Sequence, residues 1–369
     1  AGCHAEGGPG WSTASIGTAG EAAEIAADIA LVTRARYMPP WPASDLSIPF
    51  AHDWSLSDEE LATIAAWADA GGGLDVDPST PLVPAPTEGV EIDDDWISRT
   101  EPYAGSTDVV NDYRCRAIEV GDPDTERWIE GLAFAPDNLA VTHHGLLFTA
   151  PDSSRTAITA AEARDPEEGW SCFGLAGIPG SQLVAGWAPG AQPFRMPLGS
   201  GIRLAPGDLM ILQIHYHFED EAPLDAPSMV FDFVDDEVRE AAGGALAPLQ
   251  YRTSLGGAEI PCTPEDAALA AERAATVDGY VDLCVRENVL ERIAEDYGGG
   301  ATAIPGGLML ACGQRLEDFL ADTDGVVTST CDHRVNNPGR VIMMWGHMHE
   351  FGASYRMTLN PDTPEERVL

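Results

Sequence analysis

The sequence predicts a mainly β protein, an antiparallel sandwich or jelly roll behind a small α-helical N-terminal segment. Two observations carry this. Short apolar runs with strand-like alternation recur from Asp112 onward, separated by Gly, Pro and Asp turn signals. Ahead of them Ser57 to Gly71 reads as one capped amphipathic helix, followed by a Gly-, Pro- and Asp-rich stretch in which Pro78, Pro81, Pro84 and Pro86 disfavour regular structure.

Composition narrows the function classes. At 369 residues and 44% hydrophobic content the chain can bury several cores, and two or three domains are expected. The formal net charge is −40, with all 20 basic residues arginine, so a nucleic-acid backbone or an anionic membrane surface would be repelled. The longest apolar runs, near Leu308 to Ala311 and Val341 to Trp345, are far shorter than a bilayer span, and no charged-then-apolar leader opens the chain. The expectation is a mature, soluble product without a membrane span. Of the seven cysteines, six are spread in a way that suits disulfides and an oxidising, periplasmic or secreted setting. Six cysteines can pair in fifteen ways. The pairing adopted joins Cys115 to Cys172, Cys262 to Cys284 and Cys312 to Cys331.

From the N-terminus, Cys3-His4 matches the end of a C-x-x-C-H haem attachment motif whose first Cys falls before residue 1. Tyr37-Met38-Pro39-Pro40-Trp41-Pro42 follows. The helix from Ser57 has Ser57 as N-cap, Glu60 closing a capping box, Leu61, Ile64, Ala65 and Ala68 on one face, and Gly71 as its stop. Together these elements, over residues 1–75, resemble a small bacterial c-type cytochrome. The resemblance implies haem c on Cys3, with His4 and Met38 as axial ligands. His52 reads as a surface residue. Residues 76–92 read as a linker. The expected strands are Asp112 to Val120, Trp128 to Phe134, Ala140 to Phe148, Gln182 to Trp187, Leu209 to His217 and Ser228 to Val234.

Six of the nine histidines lie in three dense clusters: His143-His144, His215-Tyr216-His217 and His347-Met348-His349. At i and i+2 of an extended segment two imidazoles share a face and can converge on one metal, whereas the adjacent pair His143-His144 points to opposite faces of a regular strand. Asp112-Tyr113-Arg114-Cys115-Arg116, His143-His144, Gly186-Trp187-Ala188-Pro189-Gly190, Gln213-Ile214-His215-Tyr216-His217 and His347-Met348-His349 occur in one order. That order resembles the copper type II, ascorbate-dependent monooxygenases, the family of peptidylglycine α-hydroxylating monooxygenase and dopamine β-monooxygenase. It covers about residues 93–369 apart from an insertion.

The resemblance implies two sandwiches in tandem, 93–240 and 241–369, and two copper sites. His143, His144 and His215 would bind the electron-transfer copper; Gln213 would hydrogen-bond one of those ligands, and Tyr113 would lie near the same ion. His347 and His349 would bind the copper at which dioxygen meets substrate. The family's third ligand there is a methionine well downstream, and Met357 is too close to match it, so a further segment or another chain is expected to complete that site. An Arg that holds a substrate carboxylate in the peptide hydroxylase is Trp345 here, which favours an apolar or aromatic substrate. His217 has no metal in the family pattern.

Residues 244–300 do not align with that family's core and read as a helical insertion stapled by Cys262 and Cys284. Thr263-Pro264-Glu265-Asp266 starts one helix, carrying Ala268, Leu269, Ala271 and Ala275 as its packing face, and Cys284 to Tyr297 forms another. Strands are expected to resume at Ile304 to Cys312 and Gly339 to Gly346, with Met343, Met344 and Met348 in the core and His333 structural. The function so implied is a copper monooxygenase that hydroxylates a C–H bond of a small organic substrate with dioxygen. Electrons from an external donor would enter through the haem segment. The alternative is a non-catalytic haem and copper electron-transfer or copper-binding subunit.

Overall fold

The computed structural model describes residues 4, 10, 13–41, 43–50, 53–82, 92–189, 191–218, 221–241, 243–244, 246–257, 259–297, 299–319, 326–344, 346, 348 and 352–369. Two compact units divide the chain: Ala1–Leu249 with Val341–Leu369, and Gln250–Arg340.

The first unit opens with helices α1 (Ala19–Glu24), α2 (Ala26–Arg34) and α3 (Asp58–Asp69). α1 and α3 begin on capping boxes, Thr18 with Glu21 and Ser57 with Glu60, each satisfying backbone N–H groups that the first turn leaves open. Gly71, at φ +87°, takes the left-handed turn that follows α3, which a residue with a Cβ adopts only with strain. The expected face of α3, Leu61, Ile64, Ala65 and Ala68, is half-buried. α2 contributes the buried Ala26, Ala30 and Thr33.

The strands of this unit, in chain order, are β1 (Trp96–Arg99), β2 (Asn111–Ile118), β3 (Arg127–Ala135), β4 (Thr142–Ala150), β5 (Trp170–Ser171), β6 (Gln182–Trp187), β7 (Phe194–Arg195), β8 (Ser200–Leu204), β9 (Leu209–His217), β10 (Ser228–Phe233) and β11 (Ala247–Pro248). Helix α4 (Arg155–Glu162) follows β4, and α5 (Asp236–Ala241) follows β10. One sheet runs β5-β2-β9-β4-β6; the other runs β1-β10-β3-β8-β11, with β7 also on β3. All pairs are antiparallel except β11 with β8. The short pair β12 (Thr358–Leu359) and β13 (Arg367–Val368) forms a separate hairpin.

A single buried cluster takes Ile118, Leu147, Met210, Leu212, Ile214 and Tyr216 from the first sheet and Ile129, Leu132, Ile202, Leu204, Met229 and Phe231 from the second, so the two sheets share one core. β9 lies at the middle of its sheet and is buried along eight of its nine residues. Its even-numbered side chains enter the shared core, while Leu209 and Ile211, on the other face, pack with Ile158 and Ala161 of α4 and with Trp170. The expected strands match β2, β3, β4, β6, β9 and β10 to within a few residues. The shorter β1, β5, β7, β8 and β11 have no counterpart among them.

The second unit is helical among its described residues: α6 (Pro264–Thr276), α7 (Arg286–Tyr297) and α8 (Ile304–Ala311). Thr263 caps α6 through its side chain with Pro264 at the first position, as the sequence leads one to expect. The packing face differs. Ala270 is the buried residue of α6, whereas Ala268, Leu269, Ala271 and Ala275 are exposed. The segment expected as a strand, Ile304 to Cys312, is a helix over Ile304–Ala311 capped by Cys312; without polar side chains it carries no period to distinguish the two, and Pro305 suits a helical first turn. No strand forms among the described residues of Gly339 to Gly346, and Met343 and Met348 are exposed, at 53% and 44%, not core.

All three disulfides join the expected partners, Cys115–Cys172, Cys262–Cys284 and Cys312–Cys331. They fit an extracellular or periplasmic setting. Among the described residues no helix is long and apolar enough to cross a membrane.

Candidate metal centre

The outward face of β2, β9 and β4 changes character along its length. On β9 it reads Leu209, Ile211, Gln213, His215, His217, passing from the apolar contacts of α4 to a polar end. Opposite these on β2 stand Ala117 against Ile211, Cys115 against Gln213, Tyr113 against His215 and Asn111 against His217.

On β4 the pairing with β9 shifts between Thr142 and His144: Thr142 faces Tyr216 and His144 faces His215, leaving His143 as an extra residue. Such a bulge re-aims a side chain out of the strict alternation of a strand. Here it lets both neighbours His143 and His144 approach His215. The bulge is held from below by Asp225, which is buried. Its Oδ2 accepts from Thr142 Oγ1 at 3.5 Å and its Oδ1 from Asn138 N–H at 2.8 Å. The Thr142 N–H donates to Asn138 O at 3.1 Å, and His217 N–H to Val141 O at 2.9 Å. Burial raises the Asp225 carboxyl above its ordinary pKa.

The three imidazoles meet through one kind of atom. His143 Nδ1 lies 3.3 Å from His144 Nδ1 and 3.1 Å from His215 Nδ1, and His215 Nδ1 lies 3.3 Å from His144 Nδ1. The centre of that triangle is about 1.9 Å from each nitrogen, close to the ordinary imidazole–metal distance of about 2.0–2.1 Å, so the three nitrogens could hold a single ion. No other group of three or more His, Cys, Asp and Glu ligand atoms among the described residues converges in this way. Three imidazole nitrogens suit copper, zinc, iron or nickel.

His143 is exposed, His144 half-buried and His215 buried. Burial, then the neighbouring His144, His143 and His217, push the His215 pKa down to about 3; burial and His217 also lower that of His143. Both imidazoles are therefore neutral at neutral pH, the form that can bind a metal. An unshifted imidazole must give up a proton to bind metal below about pH 6.5, whereas His215 has none to give until about pH 3. Metal binding at pH 5.5 is expected to release at most about two protons per ion, measured by titration calorimetry in buffers of different ionisation enthalpy. Release of nearly three would contradict these environments. Without metal, the unfolded chain takes up a proton at His215 below about pH 6.5 that the folded chain refuses, so stability falls as the pH drops from there toward 3.

The surroundings hold the imidazoles in place. The Tyr113 ring stacks on His215 with centroids 4.1 Å apart and planes 8° from parallel, and Phe173 packs edge-on against Tyr113 at 4.9 Å. The Cys115–Cys172 disulfide ties β2 to the residue just before Phe173. Gln213 donates through Nε2 to Cys172 Sγ at 3.2 Å and to the Leu175 carbonyl at 3.5 Å, so its amide serves the disulfide loop, where the family resemblance implies a bond to a histidine. The group that bonds His215 is Asn111, which sequence reasoning passed over. Its only sequence signal is its place two residues before Tyr113.

Of the expected haem residues, His4 is half-buried, with Nδ1 donating to Gly10 O at 3.0 Å and Ala14 O at 2.9 Å, so Nε2 carries the lone pair. That is the second-nitrogen arrangement common to metal-ligating histidines. Met38 is half-buried, and Cys3 lies outside the described residues. His347, His349, Trp345 and His52 also lie outside them. His333, expected to be structural, bonds Leu255 O through Nε2 at 2.9 Å. No protein-family model matches the chain.

Proposed function

We propose that this protein is a copper-dependent monooxygenase that hydroxylates a C–H bond of a small organic substrate with dioxygen, reducing equivalents entering through an N-terminal haem c segment in a cytochrome c-like arrangement. The observation that carries the reading is the triangle of Nδ1 atoms from His143, His144 and His215. The order of histidine motifs along the chain selects copper among the metals that three imidazoles accept.

His143, His144 and His215 would hold one copper, and His347 and His349 would be the residues of a second. Copper supplies one-electron and dioxygen chemistry that no side chain provides. The chain's part is positional. The β4 bulge turns two consecutive imidazoles toward His215, so that all three would reach one ion; Tyr113 fixes the plane of the His215 ring, and burial keeps that ring unprotonated. The Gly10 and Ala14 carbonyls orient His4 through Nδ1, leaving Nε2 as the nitrogen that would hold a haem iron.

Copper and haem iron per purified chain, measured together, test the reading. About two coppers and one iron, with oxygen from labelled dioxygen in a hydroxylated product, is the expected result. One copper with one iron and no product would assign an electron-transfer subunit instead. Zinc retained in preference to copper, or no bound metal after reconstitution under reducing conditions, would overturn it.

A further inference from the structure

Asn111 heads β2 directly opposite His217. Its single Oδ1 lies 2.9 Å from His215 Nε2 and 3.1 Å from His217 Nδ1. An amide oxygen only accepts, so both ring nitrogens carry their hydrogens. His215 therefore keeps its lone pair on Nδ1, the atom at 3.1 and 3.3 Å from the corresponding atoms of His143 and His144.

We propose that Asn111 is a positioning residue of this metal centre: its side-chain carbonyl locks His215 in the Nε2–H tautomer, aims Nδ1 at the ion, and spends His217 Nδ1–H so that this nitrogen is not a competing donor. The inference rests on the reading of His143, His144 and His215 as copper ligands. Two contacts divide the work on the His215 ring. Tyr113, stacked 4.1 Å away, fixes the plane of the ring, but a ring turned over within that plane would place Cδ2 where Nδ1 now stands. Only a directional bond at Nε2 forbids the turned state, and Asn111 makes it. A carbonyl or carboxylate on the far nitrogen also makes an imidazole a stronger donor, and removing such a partner lowers metal affinity by about 10–100-fold.

The test compares wild type with Asn111→Ala, Asn111→Asp and His217→Ala by copper competition titration, electron paramagnetic resonance of the oxidised site and its reduction potential. Asn111→Ala is expected to lose about 10–100-fold in affinity with altered copper hyperfine splitting. Asn111→Asp should restore the affinity and lower the potential, because a carboxylate partner favours the more highly charged ion. His217→Ala should bind copper nearly as wild type does.

Thermal unfolding of the metal-free variants separates a loss of fold from a loss of site, and if Asn111→Ala does not fold, the potential of Asn111→Asp decides. Wild-type affinity, spectrum and potential in both Asn111 variants would overturn the inference while leaving the copper site standing. So would a loss of copper in His217→Ala as large as in His215→Ala. A wild-type protein that takes no copper at these histidines would overturn the site reading itself, and the inference with it.

Discussion

Replacing His215 by alanine is expected to remove copper from the first site, with affinity falling by more than the roughly 10–100-fold that follows loss of a residue behind a ligand. The physical reason is its place at the centre of the arrangement. His215 is buried on the middle strand of its sheet, paired with Asn111, stacked by Tyr113, and its Nδ1 is common to two sides of the nitrogen triangle. His143→Ala and His144→Ala are expected to act in the same direction. His333→Ala is the control, since that ring bonds the Leu255 carbonyl in the helical unit. Competition with a chromophoric Cu(I) chelator reads the affinities. Copper retained by His215→Ala at wild-type strength would remove the site from these three residues.

The second large effect is expected from the Cys115→Ala, Cys172→Ala double variant. The disulfide closes a sequence separation of 57 residues. By chain entropy alone its loss costs about 4 kcal/mol, against a usual range of about 2–5 kcal/mol. It also releases the segment that carries Phe173 against Tyr113 and takes away the sulfurs to which Gln213 donates. Denaturant unfolding should therefore show a lower midpoint, and copper affinity should fall too, because the ring stack that orients His215 is loosened. The Cys262–Cys284 and Cys312–Cys331 bridges, with separations of 22 and 19, belong to the other unit, so opening either should leave copper affinity unchanged. Equal effects of all three bridges on copper would contradict the role assigned to Cys115–Cys172.

Much of this was legible in the residues. Ser57 and Glu60 announced the start of α3, and Thr263 with Pro264 that of α6, because caps act over three or four residues and need no tertiary information. Leu209 to His217 read as a strand, and the structure places it at the centre of its sheet. His143, His144 and His215 were brought together by likeness to a known motif order, and the structure joins the three.

The misreadings have a common cause. Ile304 to Ala311 carries no polar side chain, so its sequence holds no period that could separate helix from strand, and the structure shows a helix with Pro305 in its first turn. In α6, alanines occupy most of both sides, so the sequence could not say which of them faces inward; packing chose Ala270. Gln213 shares the outward face of β9 with His215, yet its amide went to the disulfide loop, because that loop reaches it and the imidazole is already held by Asn111.

By itself, then, the sequence determined the histidines, their i and i+2 spacing, the caps and the cysteines, all of them local chemistry. That two adjacent histidines on one strand could serve one ion was decided only by tertiary structure. Strict alternation sends neighbours to opposite faces, and it took the register shift against β9, anchored through Thr142 on the buried Asp225, to overcome it. The choice of Nδ1 as the converging atom was likewise tertiary, since either imidazole nitrogen can bind a metal until a partner such as Asn111, 104 residues away, claims the other.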